Sequence, residues 1–275
     1  MTALTCEICP HHCRIERGEV GKCRARMNDG DKIIPLNYGE LTSIALDPIE
    51  KKPLYKFFPG SKILSVGSFG CNLNCPFCQN HEISMADSTF PTRKVMPEQL
   101  VALAEELTAQ GNIGIAFTYN EPFIGYEFVR DTSALLKSCG LKSVLVTNGT
   151  VAPAALKKIL PLIDAMNIDL KGYSQKIYDT LGGNFETVLR TIELSAQSCH
   201  VEVTSLIVPN MNDSPEDMDA EAKWLASISE DIPLHISRFF PRYKVRNLPP
   251  TPVEKIYELV AVAKRHLNFV YTGNC

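Results

Sequence analysis

Short apolar runs alternate with longer amphipathic stretches from residue 63 to the C-terminus. The runs have roughly four to eight residues, are rich in Val, Ile and Leu, and end at turn residues, which predicts buried strands. The predicted strands cover residues 63–69, 114–118, 143–147, 165–169, 201–208 and 234–237, and a last run at 269–271 is a candidate extension of the sheet.

Helical periodicity fills the stretches between these strands. Residues 97–110 place their apolar positions on one face and begin with Pro97. Ser214 is the predicted N-cap of a later helix, and Thr251 forms a predicted capping box with Glu254 at the start of the last helix. Alternating strands and helices predict parallel strands with right-handed crossovers. Six such units are too few to close an eight-strand barrel, so we predict an α/β fold with an open, partial (β/α)6 TIM-like barrel.

The chain is predicted to divide into an N-terminal cysteine-rich extension with β segments, residues 1–62, and the barrel, residues 63–275. Residues 31–62 alternate short apolar runs with turns, which predicts two or three extended segments lying against the first barrel strand. Within them, the pair Lys51 and Lys52 is expected to be a solvated turn.

The extension carries four cysteines within 18 residues, Cys6, Cys9, Cys13 and Cys23. Its glycines and charges leave too little apolar material to fold unaided, and a bound metal would supply the missing free energy. Four thiolates suit tetrahedral zinc and equally suit a closed iron–sulfur cluster. The alternative is a set of reduced, metal-free thiols.

Composition and net charge indicate which classes of protein this chain can belong to. The 275 residues are 45% hydrophobic and 21% charged, as in an ordinary globular protein, and a net charge of −3 gives no reason to expect nucleic acid as a partner. Ten clustered cysteines indicate metal and a reducing compartment rather than a disulfide scaffold. The sequence shows neither a signal peptide nor a run of about 18 apolar residues, so we expect a cytoplasmic protein with no membrane partner.

A second cysteine group directly follows the first predicted strand. Cys71, Cys75 and Cys78 have the spacing C-x3-C-x2-C in a loop that contains Pro76 and several asparagines. A four-iron cluster normally takes four thiolates, so three would leave one iron open to another ligand. The alternatives are a zinc site and three structural thiols.

Polar residues stand at the C-terminal end of each predicted strand. In barrels of parallel strands these ends form the rim where chemistry gathers, so we expect one site there. The rim residues include Asn120 and Glu121 after the second strand, Asn148 after the third, Asp169 and Lys171 at the fourth, and Arg238 at the sixth.

The cysteine loop resembles that of the radical S-adenosylmethionine (radical SAM) superfamily, with Phe77 at the aromatic position of its C-x3-C-x-aromatic-C motif. The sequence is more similar still to the activating enzymes of pyruvate formate-lyase. It also resembles the radical SAM enzyme of the AmmeMemoRadiSam system, through Cys-Pro-His-His-Cys at 9–13, Asp-Pro-Ile-Glu-Lys-Lys-Pro-Leu-Tyr at 47–55 and Cys-Gln-Asn at 78–80. This resemblance runs along nearly the whole chain.

The resemblance implies a 4Fe–4S cluster on the three loop cysteines and S-adenosylmethionine as cofactor, with Phe77 and Gln79 beside it. Glu121 matches the glutamate of the family's Gly-Gly-Glu-Pro segment, which holds the methionine amino group. Tyr119 and Asn120 replace the two glycines, so the Asn120 amide is expected to take over a backbone contact.

Asp169 and Lys171 match the family's Asp-Leu-Lys, which binds the cofactor's ribose and carboxylate; a buried structural ion pair is the alternative. Thr204 and Phe240 stand where the activating enzymes carry an arginine and a histidine. Arg238 is the candidate replacement, because guanidinium binds carboxylates bidentately. Asn148 is either a cofactor contact or a turn residue.

The function that the resemblance implies is reductive cleavage of S-adenosylmethionine to a 5′-deoxyadenosyl radical, which abstracts a hydrogen atom. An external electron donor such as flavodoxin or ferredoxin would be needed. The first hypothesis for the substrate is a glycyl radical enzyme, and the second is another protein, a nucleic acid or a small molecule. A non-catalytic iron–sulfur or zinc protein is the third hypothesis.

Overall fold

Short antiparallel pairs make up the N-terminal part of the chain. The computed structural model describes residues 3–275. The first strands are β1 (Leu4–Thr5), β2 (Arg14–Ile15), β3 (Arg26–Asn28), β4 (Ile33–Pro35) and β5 (Glu40–Leu41). Strand β1 pairs with β2 and β3 with β4, whereas β5 pairs with the later strand β8 (Arg93–Lys94). None of these pairs joins the main sheet.

The main sheet has eight strands within the described range. Besides β6 (Ser43–Pro48) and β7 (Lys62–Gly67), it contains β9 (Asn112–Phe117), β10 (Lys142–Thr147), β11 (Ala165–Asp169), β12 (His200–Ile207), β13 (Leu234–Arg238) and β14 (Val270–Gly273). Their order is β14-β13-β12-β11-β10-β9-β7-β6, with β6 antiparallel at one edge and parallel pairing elsewhere. This confirms the predicted parallel sheet, and β14 is the extension expected near the C-terminus.

Helices follow the parallel strands and cover the sheet. They are α1 (His81–Ser84), α2 (Pro97–Glu106), α3 (Tyr126–Ser138), α4 (Pro153–Ile159), α5 (Gln175–Leu181), α6 (Phe185–Ala196), α7 (Pro215–Ile228) and α8 (Val253–Ala263). The apolar faces of α2 to α8 join the strands in one large core. Among the described residues, no helix is both long and apolar enough to cross a membrane.

The structure confirms the predicted N-cap of α7 and contradicts the predicted N-cap of α8. Ser214 caps α7 as predicted, because its hydroxyl accepts a hydrogen bond from the backbone N–H of Asp217 at 3.0 Å. The capping box predicted for α8 is wrong. The Thr251 hydroxyl instead donates to the carbonyl of Ile207 at 2.6 Å, and α8 begins without a side-chain cap. Thr251 therefore ties the loop before α8 to the end of β12.

Residues 47–57 cross the end of the sheet where the parallel strands begin. Ile49, Leu54 and Phe57 are buried there against Ile63 and neighbouring residues at the strand starts. The solvated turn expected at Lys51–Lys52 is wrong for Lys52, which is only 4% exposed.

Lys52 is buried because it has a specific partner. Its ammonium donates to the Asp47 carboxylate at 3.0 Å, which also accepts from the Tyr119 hydroxyl at 2.9 Å. The segment is therefore a packed part of the fold.

A buried carboxylate attaches this segment to the sheet. Glu202 of β12 is fully buried and accepts hydrogen bonds from the backbone N–H groups of Tyr55 and Lys56, at 3.0 and 2.7 Å. The rings of His200 and His235 also contact it, at 2.9 and 2.6 Å. Although burial opposes ionisation, these hydrogen bonds lower the pKa of Glu202 to about 2.

We expect Glu202→Gln to lower the free energy of unfolding by about 2–4 kcal/mol at pH 7, because an amide cannot accept at all four contacts. The pKa of Glu202 is lower in the folded protein, so its contribution is present above about pH 4.5 and is lost as the pH falls towards 2. Urea unfolding at pH 7 and between pH 5 and 3 measures both effects. The exposed Glu98→Gln is the control, and equal urea midpoints for the two variants would contradict the prediction.

Candidate active site

The cysteine loop leaves the sheet at the C-terminal end of β7. Cys75 is buried, and Cys71 and Cys78 are half-buried. Gly70 turns the chain into the loop with φ +86°, and a Cβ there would lie 2.5 Å from the carbonyl of Cys23. Only glycine suits both the backbone angle and the space. The loop is thus packed directly against the N-terminal extension.

Asn120 holds the first turn of this loop. Its amide group donates to the carbonyls of Phe69 and Gly70 at 3.2 and 3.1 Å, and its oxygen accepts from the Ser68 N–H at 2.9 Å. The adjacent Tyr119 adopts φ +69°, a region that glycine favours and other residues seldom enter. The structure therefore gives Asn120 a role in shaping the loop, and its contact with a cofactor stays a prediction.

Glu121 lies at the same rim, between the ends of β9 and β10. Its carboxylate accepts hydrogen bonds from Phe123 N–H at 3.0 Å, Thr147 hydroxyl at 2.8 Å and Asn148 N–H at 2.8 Å. Burial raises the pKa of Glu121 to about 7, against these three donors. Burial is the main cause that raises the pKa of the Cys71 thiol, and the nearby charge of Glu121 raises it further.

Asn148 joins the carboxylate to the cysteine loop. While its backbone N–H binds Glu121, its side-chain amide donates to Cys71 Sγ at 3.6 Å and to Asn72 Oδ1 at 2.9 Å. Cys71 Sγ also accepts from the Leu73 N–H at 3.4 Å. Hydrogen bonds to ligand sulfurs are one way in which proteins set the reduction potential of iron–sulfur clusters. These contacts suit a ligand thiolate.

Asp169 and Lys171 form an ion pair of 2.9 Å near Cys75. Burial acts to lower the pKa of Lys171, but the negative charge of Asp169 acts against burial, and this pKa lies above its usual range. Burial raises the pKa of Cys75 to about 11, and the Lys171 ammonium acts in the opposite direction. The Lys171 N–H donates to the buried Tyr178 hydroxyl at 3.0 Å, which fixes the strand end.

Apolar side chains surround the sulfurs. Phe77 is buried in a cluster with Leu73, Cys75, Ile177, Leu181, Val208 and Phe239, against which Cys71 and Cys78 also pack. Gln79 is exposed. Arg238 donates from Nε to the carbonyl of Thr251 at 2.6 Å and lies over the Phe240 ring. The cofactor contacts expected of Gln79 and Arg238 stay predictions.

The donor set fits an iron–sulfur cluster. Thiolates are the usual cluster ligands, and three of them on one loop leave an iron without a protein ligand. Across residues 3–275, no three His, Cys, Asp or Glu side chains meet closely enough to hold a single metal ion. Cluster ligands bind different irons and do not need to meet at one point.

The four cysteines of the N-terminal extension come together beside this loop. Cys6, Cys9, Cys13 and Cys23 all line one small cavity of about 10 Å³. His11 lines it too, and its Nε2 contacts the carbonyl oxygen of Asn72 at 2.8 Å. His12 instead faces outward and pairs with Glu7 at 3.2 Å.

A larger cavity, of about 570 Å³, lies away from these residues. It is lined by Cys199, His200, Ser229 and their neighbours, at the end of the sheet where the parallel strands begin. None of the predicted site residues lines it. Catalytic groups in such folds gather at the opposite ends of the strands, so this cavity is not the candidate site.

The sequence patterns missed residues that position the loop from a distance. Arg24 donates to the carbonyls of Cys71 and Ser84 at 3.2 and 2.9 Å, and the Asn72 amide donates to the carbonyl of Thr150 at 2.7 Å. Each contact joins residues at least 47 apart in sequence. A lone Arg or Asn in a loop gives no pattern that predicts such a partner.

A sequence-family comparison matches residues 65–225 to the model of the Radical SAM superfamily. An uncharacterized protein of Methanocaldococcus jannaschii, MJ0808, is 40% identical over 98% of this chain and 81% of its own length. Pyruvate formate-lyase 1-activating enzyme of Escherichia coli is 25% identical over 59% of this chain and 66% of its own length.

Comparison with solved structures supports the fold alone. A radical SAM methyltransferase from Sphaerobacter thermophilus superimposes with a TM-score of 0.60 over 78% of this chain and 67% of its own, at 15% sequence identity.

Proposed function

Because the chain belongs to the radical SAM superfamily, we propose that it cleaves S-adenosylmethionine reductively and abstracts a hydrogen atom from a protein substrate. The family implies a 4Fe–4S cluster and S-adenosylmethionine. The observation that carries the proposal is the arrangement of Glu121, Asp169 and Lys171 around Cys71 and Cys75 at one rim.

The cluster and cofactor, when bound, supply one-electron cleavage of the sulfonium to methionine and a 5′-deoxyadenosyl radical. The protein's part is to bind, orient and exclude water. Cys71, Cys75 and Cys78 would hold three irons. The cluster of apolar residues around Phe77 would keep water and stray hydrogen donors from the reacting atoms.

Glu121 is the proposed partner of the cofactor's ammonium group. Its carboxylate is held by three donors, so its orientation is set before any ligand arrives. The Asp169–Lys171 pair offers an acceptor for ribose hydroxyls and a cation for the methionine carboxylate. Asp169 ends β11, and Lys171 and Glu121 follow β11 and β9 within two and four residues.

The finer proposal is that the substrate is a glycyl radical enzyme, activated with the help of an electron donor such as flavodoxin or ferredoxin. Its support is the similarity to the activating enzyme of pyruvate formate-lyase, together with the linear order of the sheet, which leaves β6 and β14 as separate edges. An open barrel of this kind leaves room for a peptide loop beside the rim.

The experiment uses anaerobically purified protein reconstituted with iron and sulfide, then reduced with dithionite in the presence of S-adenosylmethionine. Candidate glycyl radical enzymes labelled with deuterated glycine are added, with pyruvate formate-lyase as the first probe. We expect a glycyl electron-spin signal and deuterium in 5′-deoxyadenosine.

Formation of 5′-deoxyadenosine without a glycyl signal from any candidate would refute the proposal that the substrate is a glycyl radical enzyme. It would still support the proposed cleavage of S-adenosylmethionine. Absence of 5′-deoxyadenosine from protein with a full cluster would refute both parts of the proposal.

A further inference from the structure

A second group of thiols lies outside the rim. Cys6, Cys9 and Cys23 are 6–8% exposed, Cys13 is half-buried, and all four line the same 10 Å³ cavity. That volume is about the space of one water-sized sphere. Four thiols around one small cavity are the donor set of a closed metal site. Within residues 3–275 they do not meet closely enough to hold a single ion as they stand, so binding requires the sulfurs to move together.

The surrounding segment has little else to hold it. Its strands β1, β2 and β3 have two or three residues each. Within the segment, Ile15 and Ala25 are buried, and the other apolar contacts come from the barrel, where Ile124 and Phe69 pack against Cys23 and Ala25. The sulfurs therefore make up much of the segment's own interior. Segments this small usually need a disulfide or a metal, and the cysteines are not disulfide-bonded.

The cavity is also tied into the rest of the molecule. Arg26 is buried, lines the cavity and forms an ion pair of 2.7 Å with Glu127 of α3. His11, which also lines the cavity, contacts through Nε2 the carbonyl oxygen of Asn72 at 2.8 Å, and Asn72 follows the first cysteine of the active-site loop. The four-cysteine group is therefore in direct contact with the active-site loop.

We propose that Cys6, Cys9, Cys13 and Cys23 bind a second metal centre, separate from the three-cysteine site, as four thiolate ligands. The centre is a zinc ion or an iron–sulfur cluster, the two groups that bind four thiolates in a closed shell. The sulfurs close on the metal as it binds, as in other small domains whose folding is coupled to metal. The proposal does not depend on S-adenosylmethionine cleavage.

The test distinguishes the two sites by substitutions in the whole 275-residue chain. One variant replaces Cys71, Cys75 and Cys78 with alanine and keeps the four-cysteine group intact. Zinc, iron and acid-labile sulfide per chain are measured after anaerobic purification. We expect this variant to retain either about one zinc or about four irons with four sulfides, and these two results identify the metal.

The matched variant adds Cys9→Ala and Cys23→Ala and is expected to lose that metal, a drop of at least about tenfold in content. Cys139→Ala, at an exposed cysteine, is the control and keeps the wild-type content. Less than about 0.1 metal per chain in the triple variant would overturn the proposal, and so would unchanged metal content after loss of Cys9 and Cys23. If the matched variant does not fold, the triple variant alone decides the question, because its four-cysteine group is unaltered.

Discussion

Replacing Cys71 with alanine is expected to abolish S-adenosylmethionine cleavage. The thiol accepts a hydrogen bond from the Asn148 side chain and lies near Glu121, and its loss removes one of three cluster ligands at the rim. Because the cofactor carries the chemistry, loss of the cluster removes essentially the whole enzymatic acceleration, at least about 10⁶-fold. The measurement is 5′-deoxyadenosine formed per chain under dithionite, alongside iron and sulfide content.

Cys139→Ala is the matched control, since this cysteine is exposed at the end of α3 and far from the rim in the fold. Its product yield should equal that of the wild type. Equal yields from Cys71→Ala and Cys139→Ala would mean that the loop does not hold the catalytic cluster.

Glu121→Gln is expected to weaken S-adenosylmethionine binding by at least about tenfold, or about 1.4 kcal/mol. The substitution removes the charge proposed to bind the cofactor's ammonium. It also places an amide N–H₂ where the carboxylate accepts from three donors, so the free energy of unfolding should fall by about 1–3 kcal/mol. Equilibrium binding to the reconstituted protein and urea unfolding measure the two effects separately.

Thr147→Val distinguishes a binding role of Glu121 from a structural one. It removes the 2.8 Å hydrogen bond to the carboxylate, and a 3.1 Å bond that the hydroxyl accepts from the Gly149 N–H, while leaving the charge in place. We expect a stability loss of about 1 kcal/mol with affinity for the cofactor within about threefold of wild type. If both variants bind the cofactor as the wild type does, Glu121 serves only the fold.

The fold was largely predictable because its sheet is parallel and buried on both faces. Such strands are continuous apolar runs, and the runs at 143–147 and 165–169 match β10 and β11 to within one residue. The rim could be predicted for the same reason, since the ends of parallel strands share one edge. Glu121 and Asp169 lie close enough there for their charges to interact.

Contacts between distant segments could not be predicted from local patterns. Lys52 has the pattern of a surface lysine, but Asp47 and the Tyr119 ring give it a buried site. Thr251 has the pattern of a cap, but a carbonyl 44 residues away accepts its hydroxyl. In each case a long-range partner outweighed the local preference.

At the candidate site, the structural roles of individual residues were harder to predict than their positions in the fold. Asn120 was expected at the cofactor, and the structure uses its amide to shape the loop after β7. Asn72 had no predicted role, although it contacts His11, Asn148 and Thr150. Roles of this kind depend on three-dimensional packing that one sequence does not encode in a readable pattern.

The central claim is that a cluster held by Cys71, Cys75 and Cys78 binds S-adenosylmethionine directly at the iron that has no protein ligand. The most direct measurement is the electron-spin spectrum of the reduced cluster on Cys71, Cys75 and Cys78, recorded with S-adenosylmethionine that carries ¹⁵N in its amino group. The protein used has Cys9 and Cys23 replaced by alanine, so that the proposed second metal centre does not contribute to the spectrum. We predict a changed spectrum with a resolved ¹⁵N coupling that disappears in Cys71→Ala. A spectrum unchanged at saturating cofactor would contradict the account.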